Sequence, residues 1–573
     1  EVARQFADVW HGDPPTRPLG QRLTGSARWT AARPLLVAKP LVVPSGVTLM
    51  VDPGATICFG PEGRLLIEGR LLAEGDAFRR IQFLRTPDAD GAWGGIGFSG
   101  SAADNRLAHV DFHHTDSYAL AITNSVVTLD HVQWHGTRSN LIWFQDASLT
   151  VRDCVFPDLS HSEHVRGIGI RAGGELVFAR NRFGATTGYS DIFDVSGGSR
   201  PGPILELYDN EFRGGDDDGL DLDGMDAHLE GNTFRGFHKR NPSAGLAAAI
   251  TTGRYGGVAS DITVARNLFY DNDHHIVLKE GGRLEAANNS FYGGTLGAIA
   301  FDEPLRELEM PRGARLTGNI FAHNKADLLH LKPLWLEQKW VWLHVFDSII
   351  RRTHDWLGER NLDADPMFVD APSDMRLRPG SSAIGTGPNG LDIGAGVPGG
   401  ASVSGEPRTP TRETSAVLTV GGPGITHYRY RLNGDPLGGE HPVNEPIRLA
   451  KLPSGETVVE VVGKNSAGRW QPLGQATRSR PWTIDPGLSR LLINELLAWP
   501  RGGADQIELF NDSATAADLG GISLTDDLAK PRKFVFSAKT QLGPGAYLVL
   551  GSELGFKLDA DGEGVWLFGR DGA

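Results

Sequence analysis

Asn181-Arg182-Phe183, Asn210-Glu211-Phe212, Asn232-Thr233-Phe234, Asn267-Leu268-Phe269, Asn289-Ser290-Phe291 and Asn319-Ile320-Phe321 share one pattern: an asparagine, then an aromatic two positions on. Upstream it continues as Val110-Asp111-Phe112, Val132-Gln133-Trp134 and Cys154-Val155-Phe156. From Val110 onward successive copies lie 22, 22, 27, 29, 22, 35, 22 and 30 residues apart. A basal period of 22 residues with insertions describes a coil too small to bury its own inner face, so stacked neighbours must supply the core.

That period predicts an all-β chain whose main body is a right-handed parallel β-helix. At an inward turn, each Asn amide can bond the same Asn one rung above and below, so that buried polar groups satisfy one another in a ladder. The aromatic two residues later points to the same side and stacks. Cys154 takes the Asn place in its coil and is expected inside. Several rungs of about 4.8 Å separate it from Cys58, the other cysteine, so the pair is out of disulfide reach. His109/His131 and His113/His135 also repeat at 22 residues and should stack in two columns.

Bulk composition agrees. The 573 residues include 74 Gly and 34 Pro but 5 Met, a profile of short strands and tight turns. A net charge of −14 argues against a nucleic-acid partner, because phosphates reward clustered Lys and Arg. No apolar run is long enough to span a membrane. Glu1 is not an initiator methionine, so a processed start and an exported, extracellular or cell-surface protein of bacterial type are expected.

The early segments Pro53-Gly54-Ala55-Thr56-Ile57 and Gly63-Arg64-Leu65-Leu66-Ile67-Glu68-Gly69 resemble the first coils of secreted bacterial β-helix proteins, and Gly380-Ser381-Ser382-Ala383-Ile384-Gly385 resembles their exit. The expected organisation is an N-terminal extension or cap over 1–30, the β-helix over 31–397 and a linker over 398–411. Two small β-sandwich domains follow. One, over 412–485, resembles immunoglobulin or fibronectin modules, with alternating His427-Tyr428-Arg429-Tyr430-Arg431-Leu432. The other, over 486–573, resembles the lamin-tail domain through Leu491-Leu492-Ile493-Asn494-Glu495 and Gln506-Ile507-Glu508-Leu509-Phe510. That family normally has a further strand or two, so continuation past Ala573 is expected.

Chemistry concentrates in Gly214-Gly215-Asp216-Asp217-Asp218-Gly219-Leu220-Asp221-Leu222-Asp223. Strand alternation sends Leu220 and Leu222 inward and Asp221 and Asp223 outward, with Asp217 and Asp218 at the preceding turn. Asp194 belongs on the same outer face one coil earlier. Converging carboxylates repel unless a cation neutralises them, and oxygen-only ligands select a hard ion, Ca2+ first. The bland alternative is a solvated acidic turn, or a structural ion in a non-catalytic surface or matrix protein.

Asp217-Asp218-Gly219-Leu220-Asp221 resembles the calcium cluster of family-nine pectate lyases, with Asp194 matching their upstream ligand and Lys279, before Gly281-Gly282, their catalytic lysine. Lys279 lies two coils after Asp221 rather than one, because a coil over 238–257 intervenes. The resemblance implies a calcium-dependent lyase that cleaves an acidic, uronate-containing polysaccharide or cell-surface glycan by β-elimination. Metal ligands would be Asp194, Asp217, Asp218 and Asp221, and Lys279 the base. Arg254 and His275 would assist catalysis, with His274, Asp223 and the aromatic Trp335 binding substrate. A glycoside hydrolase would instead need two free carboxylates, such as Asp221 with Asp223 or Asp302.

Overall fold

A computed structural model describes residues 21–570 except 87–91, 116–117, 138, 241–245, 303–312, 332–342, 356, 487, 489, 499–502, 560–561 and 563. The described chain is nearly all strand and turn, with four short 3₁₀ segments. Parallel coils stack from Ala27–Trp29 to Leu343–Phe346. One face of the stack is a 12-stranded parallel sheet, and the other faces join in a 25-stranded one, because the long strand Ile142–Arg152 runs through both.

The asparagine ladder forms. From Asn181 through Asn210, Asn232, Asn267 and Asn289 to Asn319, each Nδ2 donates to the next Oδ1 at 2.9–3.1 Å. The same oxygen also accepts the backbone N–H of the preceding Asn. Cys154 ends the column as expected: its N–H donates to Asn181 Oδ1, and its Sγ accepts from Val132 N–H. Both cysteines are buried free thiols. Beside the ladder the rings of Phe156, Phe183, Phe212, Phe234, Phe269, Phe291 and Phe321 stack at 4.3–5.0 Å. Ladder and stack fix the register of the coils from Cys154 to Phe321, which is what allows residues far apart in sequence to meet on the outside.

Two boundaries differ from expectation. Ala27–Trp29 already pairs in parallel with Leu49–Val51, so the expected cap contains the first coil strand. Ser402–Ser404, inside the expected linker, pairs with Thr419–Gly421, and Ala401 enters the core of the first sandwich beside Tyr428 and Trp482. The second sandwich has its own core around Ile507, Leu509, Leu519 and Leu524.

The first sandwich docks on the side of the β-helix. Arg469 pairs with Glu206 at 3.0 Å and with Glu175 at 2.6 Å, Asn465 donates to the Tyr208 hydroxyl, and Ser466 meets His228. No helix among the described residues is long and apolar enough to cross a membrane.

Candidate functional site

Leu220–Met225 follows the alternation read from sequence: Leu220 and Leu222 are buried and Asp221 and Asp223 face outward. The strands on either side put Arg166, Asp194, Asp221, Thr251 and Val277 in one outward column, residue against residue. Just before each strand a turn residue lies at the strand's edge. Glu163, Asp191 and Asp218 occupy that place on three successive coils, 28 and 27 residues apart.

Close packing makes the Asp218 turn possible. A Cβ on Gly219 would lie 2.5 Å from the Ala249 carbonyl and 2.7 Å from the Phe237 ring, so only glycine lets Asp218 reach the next coil. Asp218 is 5% exposed. Its Oδ1 accepts the N–H of Ala248, its Oδ2 the hydroxyl of Thr251 at 2.8 Å, and its own N–H donates to Asp191 Oδ1. Thr251 Oγ1 also lies 3.0 Å from Asp221 Oδ1.

Lys279 reaches back across two coils to place Nζ 3.6 Å from Asp218 Oδ2. Its backbone is pinned by Thr252, whose Oγ1 accepts Lys279 N–H. Lys279 and Asp218 therefore meet, with Asp221 joined to Asp218 through the Thr251 hydroxyl. One hydroxyl proton cannot satisfy two carboxylates fully, and the acids show the strain electrostatically. Burial pushes Asp218 up to about 7, with Asp221 and Asp217 adding to it against the pull of Lys279. Burial and Asp221 push Asp217 up to about 6, and the same two causes put Asp223 at about 6. Asp191 is held well above the carboxylate range by burial and by Asp218, Asp221 and Asp217. Burial lowers the affinity of Lys279 for its proton, but Asp218 and Asp221 outweigh it and hold the amine above its usual value.

Carboxylate oxygens of Asp191, Asp217 and Asp218 all lie within 4.8 Å of one another. Three carboxylates so close together are the residues that could hold a divalent cation. Asp194, expected beside these acids, is not one of the three; it lies 3.3 Å from Arg166 and in register with Asp221. Asp221 adjoins through Thr251.

Other expected residues fall elsewhere. His275 is fully buried and faces the core between Phe269 and Phe291, bonded to Asn272 and Asn324, and burial pushes it down to about 3. It cannot reach a substrate. His274 is 2% exposed and closed to a polymer. Arg254 opens a hairpin, paired with Ala259, one residue beyond Gly253, over which Asp223 lies. Asp302 pairs in register with Lys279. Trp335 and the tryptophans near it lie outside the described residues.

Glu163 is, with Asp191, a residue that sequence reasoning missed. Burial and Asp194 push it up to about 7, and its Oε2 is buried without a hydrogen-bond partner, 3.7 Å from Arg166. The expected histidine columns do form, at 4.5 and 4.7 Å. Asp111 lies beside His113 and His135, but Arg80 and Gln82 already occupy its oxygens.

None of the curated proteins matches the chain. Among solved structures, the Dettilon tailspike protein is similar at 10% identity, covering 84% of this chain and 80% of that one, with a TM-score of 0.25. At that score the likeness carries no argument. The family match is confined to the C-terminal end, where residues 486–572 match the Lamin Tail Domain.

Proposed function

We propose that the chain is a calcium-dependent, lyase-like enzyme acting on an acidic, uronate-containing polysaccharide. The approach of Lys279 Nζ to Asp218 Oδ2 carries the reading, because it brings an amine to a carboxylate cluster from two coils away. Asp191, Asp217 and Asp218 would hold the cation, with Asp221 alongside. Bound there, calcium would offset the charge of a uronate carboxylate and so acidify the proton on the adjacent carbon.

The chain's own groups supply the rest. Lys279 holds its proton because Asp218 and Asp221 favour the ammonium form. Were those carboxylates neutralised, the ammonium would lose that support and the neutral amine would be available as a base. Nζ then takes the proton alpha to the carboxylate, the electron pair forms the carbon–carbon double bond, and the glycosidic oxygen leaves. Asp223, a carboxyl pushed up to about 6, is the neighbouring group suited to protonate that oxygen.

The test is incubation with a panel of uronic-acid polymers, with and without chelator, read by the ultraviolet absorbance of unsaturated products. Calcium-dependent product from wild type and none from Lys279→Ala is expected. New reducing ends without unsaturation would replace the lyase by a hydrolase using two of the free carboxylates. Neither product from any polymer would leave a rigid surface scaffold.

A further inference from the structure

The outward column that carries the acids continues toward the N-terminal end of the β-helix. In register before Asp194 comes Arg166, before Arg166 comes Trp143, and before Trp143 comes Ala121. Ile142 and Phe144 are buried in the core, so alternation turns Trp143 to the outside, where it is half-buried. Tyr118 stands beside it, the ring centroids 6.1 Å apart and the planes at 43°. Arg166 is half exposed and touches both Glu163 and Asp194. An aromatic pair, a cation and an acid–amine centre thus follow one another along a single face at the pitch of the coils, about 4.8 Å per step.

Trp143 thus stands on an outward strand position in register with the small Ala121, with Tyr118 as its ring neighbour. Sugar rings present an apolar C–H face to aromatic rings, while their carboxylates seek guanidinium. A chain of −14 net charge needs such a local cation to hold an acidic polymer at all.

We propose that Trp143 and Tyr118 form a stacking subsite for one pyranose ring of the polymer and that Arg166 binds the carboxylate of the next, so that a uronan lies along the helix axis and enters the Asp221–Lys279 centre from the N-terminal side. The proposal deepens the lyase reading and rests on it for the substrate class. It places the carbohydrate-binding aromatics at Tyr118 and Trp143 and gives Arg166 a second role besides balancing Asp194.

Binding is measured separately from turnover, by calorimetric titration of polygalacturonate and polymannuronate into the Lys279→Ala protein with calcium present, a neutral glucan serving as control. Trp143→Ala added to that background is expected to weaken uronan binding about tenfold, and Trp143→Phe to restore most of it. Arg166→Gln is expected to weaken it similarly and to flatten its salt dependence, with Arg166→Lys restoring the slope. In the active protein Trp143→Ala should raise KM with kcat unchanged. Unchanged melting temperatures confirm intact folds. Uronan binding that ignores Trp143→Ala and Arg166→Gln overturns the subsite while leaving a cleaving enzyme in place. Binding that responds to both, without turnover by wild type, upholds the subsite and removes the lyase. No binding to either uronan overturns the subsite.

Discussion

The ammonium of Lys279 lies 3.6 Å from Oδ2 of Asp218, although the strands that follow Asp218 and that carry Lys279 are two coils apart. A bound cation and Lys279 would compete for the same carboxylates. Removing the lysine should therefore tighten calcium binding even as it abolishes chemistry. Lys279→Ala is expected to bind calcium several-fold more tightly than wild type by calorimetric titration and to form product at least about 100-fold more slowly. Lys279→Arg keeps the positive charge and should show wild-type calcium affinity with the same loss of product. Equal calcium affinity in wild type and Lys279→Ala would mean that the amine and the ion do not share the acids.

The acid cluster should also be legible in stability. Unfolded carboxyls titrate near 3.8 for Asp and 4.5 for Glu; in the folded chain Asp217 and Asp223 hold protons up to about 6, and Asp218 and Glu163 up to about 7. Across that window the folded state binds more protons than the unfolded one, so these groups lower stability as pH rises. In chelator, Asp218→Asn should flatten the decline in melting temperature between about pH 4 and about pH 7 relative to wild type. Calcium should raise the wild-type melting temperature most at the upper end of the range, where the cluster is ionised, and raise that of Asp218→Asn far less. Calorimetric scans at four or so pH values decide it.

How far the sequence shows this arrangement depends on which physical rule governs each residue. The coils are legible because the aromatic recurs from Phe112 to Phe321 and the asparagine from Asn181 to Asn319, and the outward pair Asp194 and Asp221 follows from alternation alone. Asp191 and Glu163 are not given by alternation, since they sit on turns ahead of their strands; only the successive spacing, 28 residues from Glu163 to Asp191 and 27 from Asp191 to Asp218, carries the signal. His275 shows the opposite failure. His274-His275-Ile276-Val277 has no polar alternation, and the register that sets His274 against Ala248 and Gly297 turns His275 inward. Docking by Arg469 is invisible locally, because its partners Glu175 and Glu206 are 294 and 263 residues away in the chain.

The ladder should be least tolerant in its middle. Asn232 accepts both the N–H and Nδ2 of Asn210 while donating to Asn267 and to the Leu207 carbonyl. Asn232→Val strands the N–H of Asn210 and one of its two Nδ2 hydrogens in a dry interior, the other still reaching the Phe178 carbonyl, at a cost of about 2–4 kcal/mol. Asn181 gives the comparison, because beyond it only the Cys154 N–H depends on its Oδ1. Asn181→Val extends the apolar start of the column already formed by Val110 and Val132, and should cost about half as much. Denaturant titration of the two variants measures the difference, and equal losses would show that the ladder acts through packing rather than through its hydrogen bonds.

The docked sandwich provides a final test, separate from any chemistry. Glu206 is nearly buried, and its carboxylate accepts from the Tyr208 hydroxyl at 2.8 Å and from Arg469. Arg469→Ala leaves that buried charge with the tyrosine alone. Because the arginine itself is half exposed, the expected loss is about 1–3 kcal/mol at the junction rather than the full cost of a buried pair. Such a loss should free the module without unfolding the β-helix, whose ladder lies on the inside of the coils. Limited proteolysis should then cut within 398–411 several times faster than in wild type, and the calorimetric trace should separate into a β-helix transition and an earlier one. Adding Glu206→Gln to Arg469→Ala removes the stranded charge and should recover part of the protection. A double variant as labile as the single one would assign the docking to the Asn465 and Ser466 contacts instead.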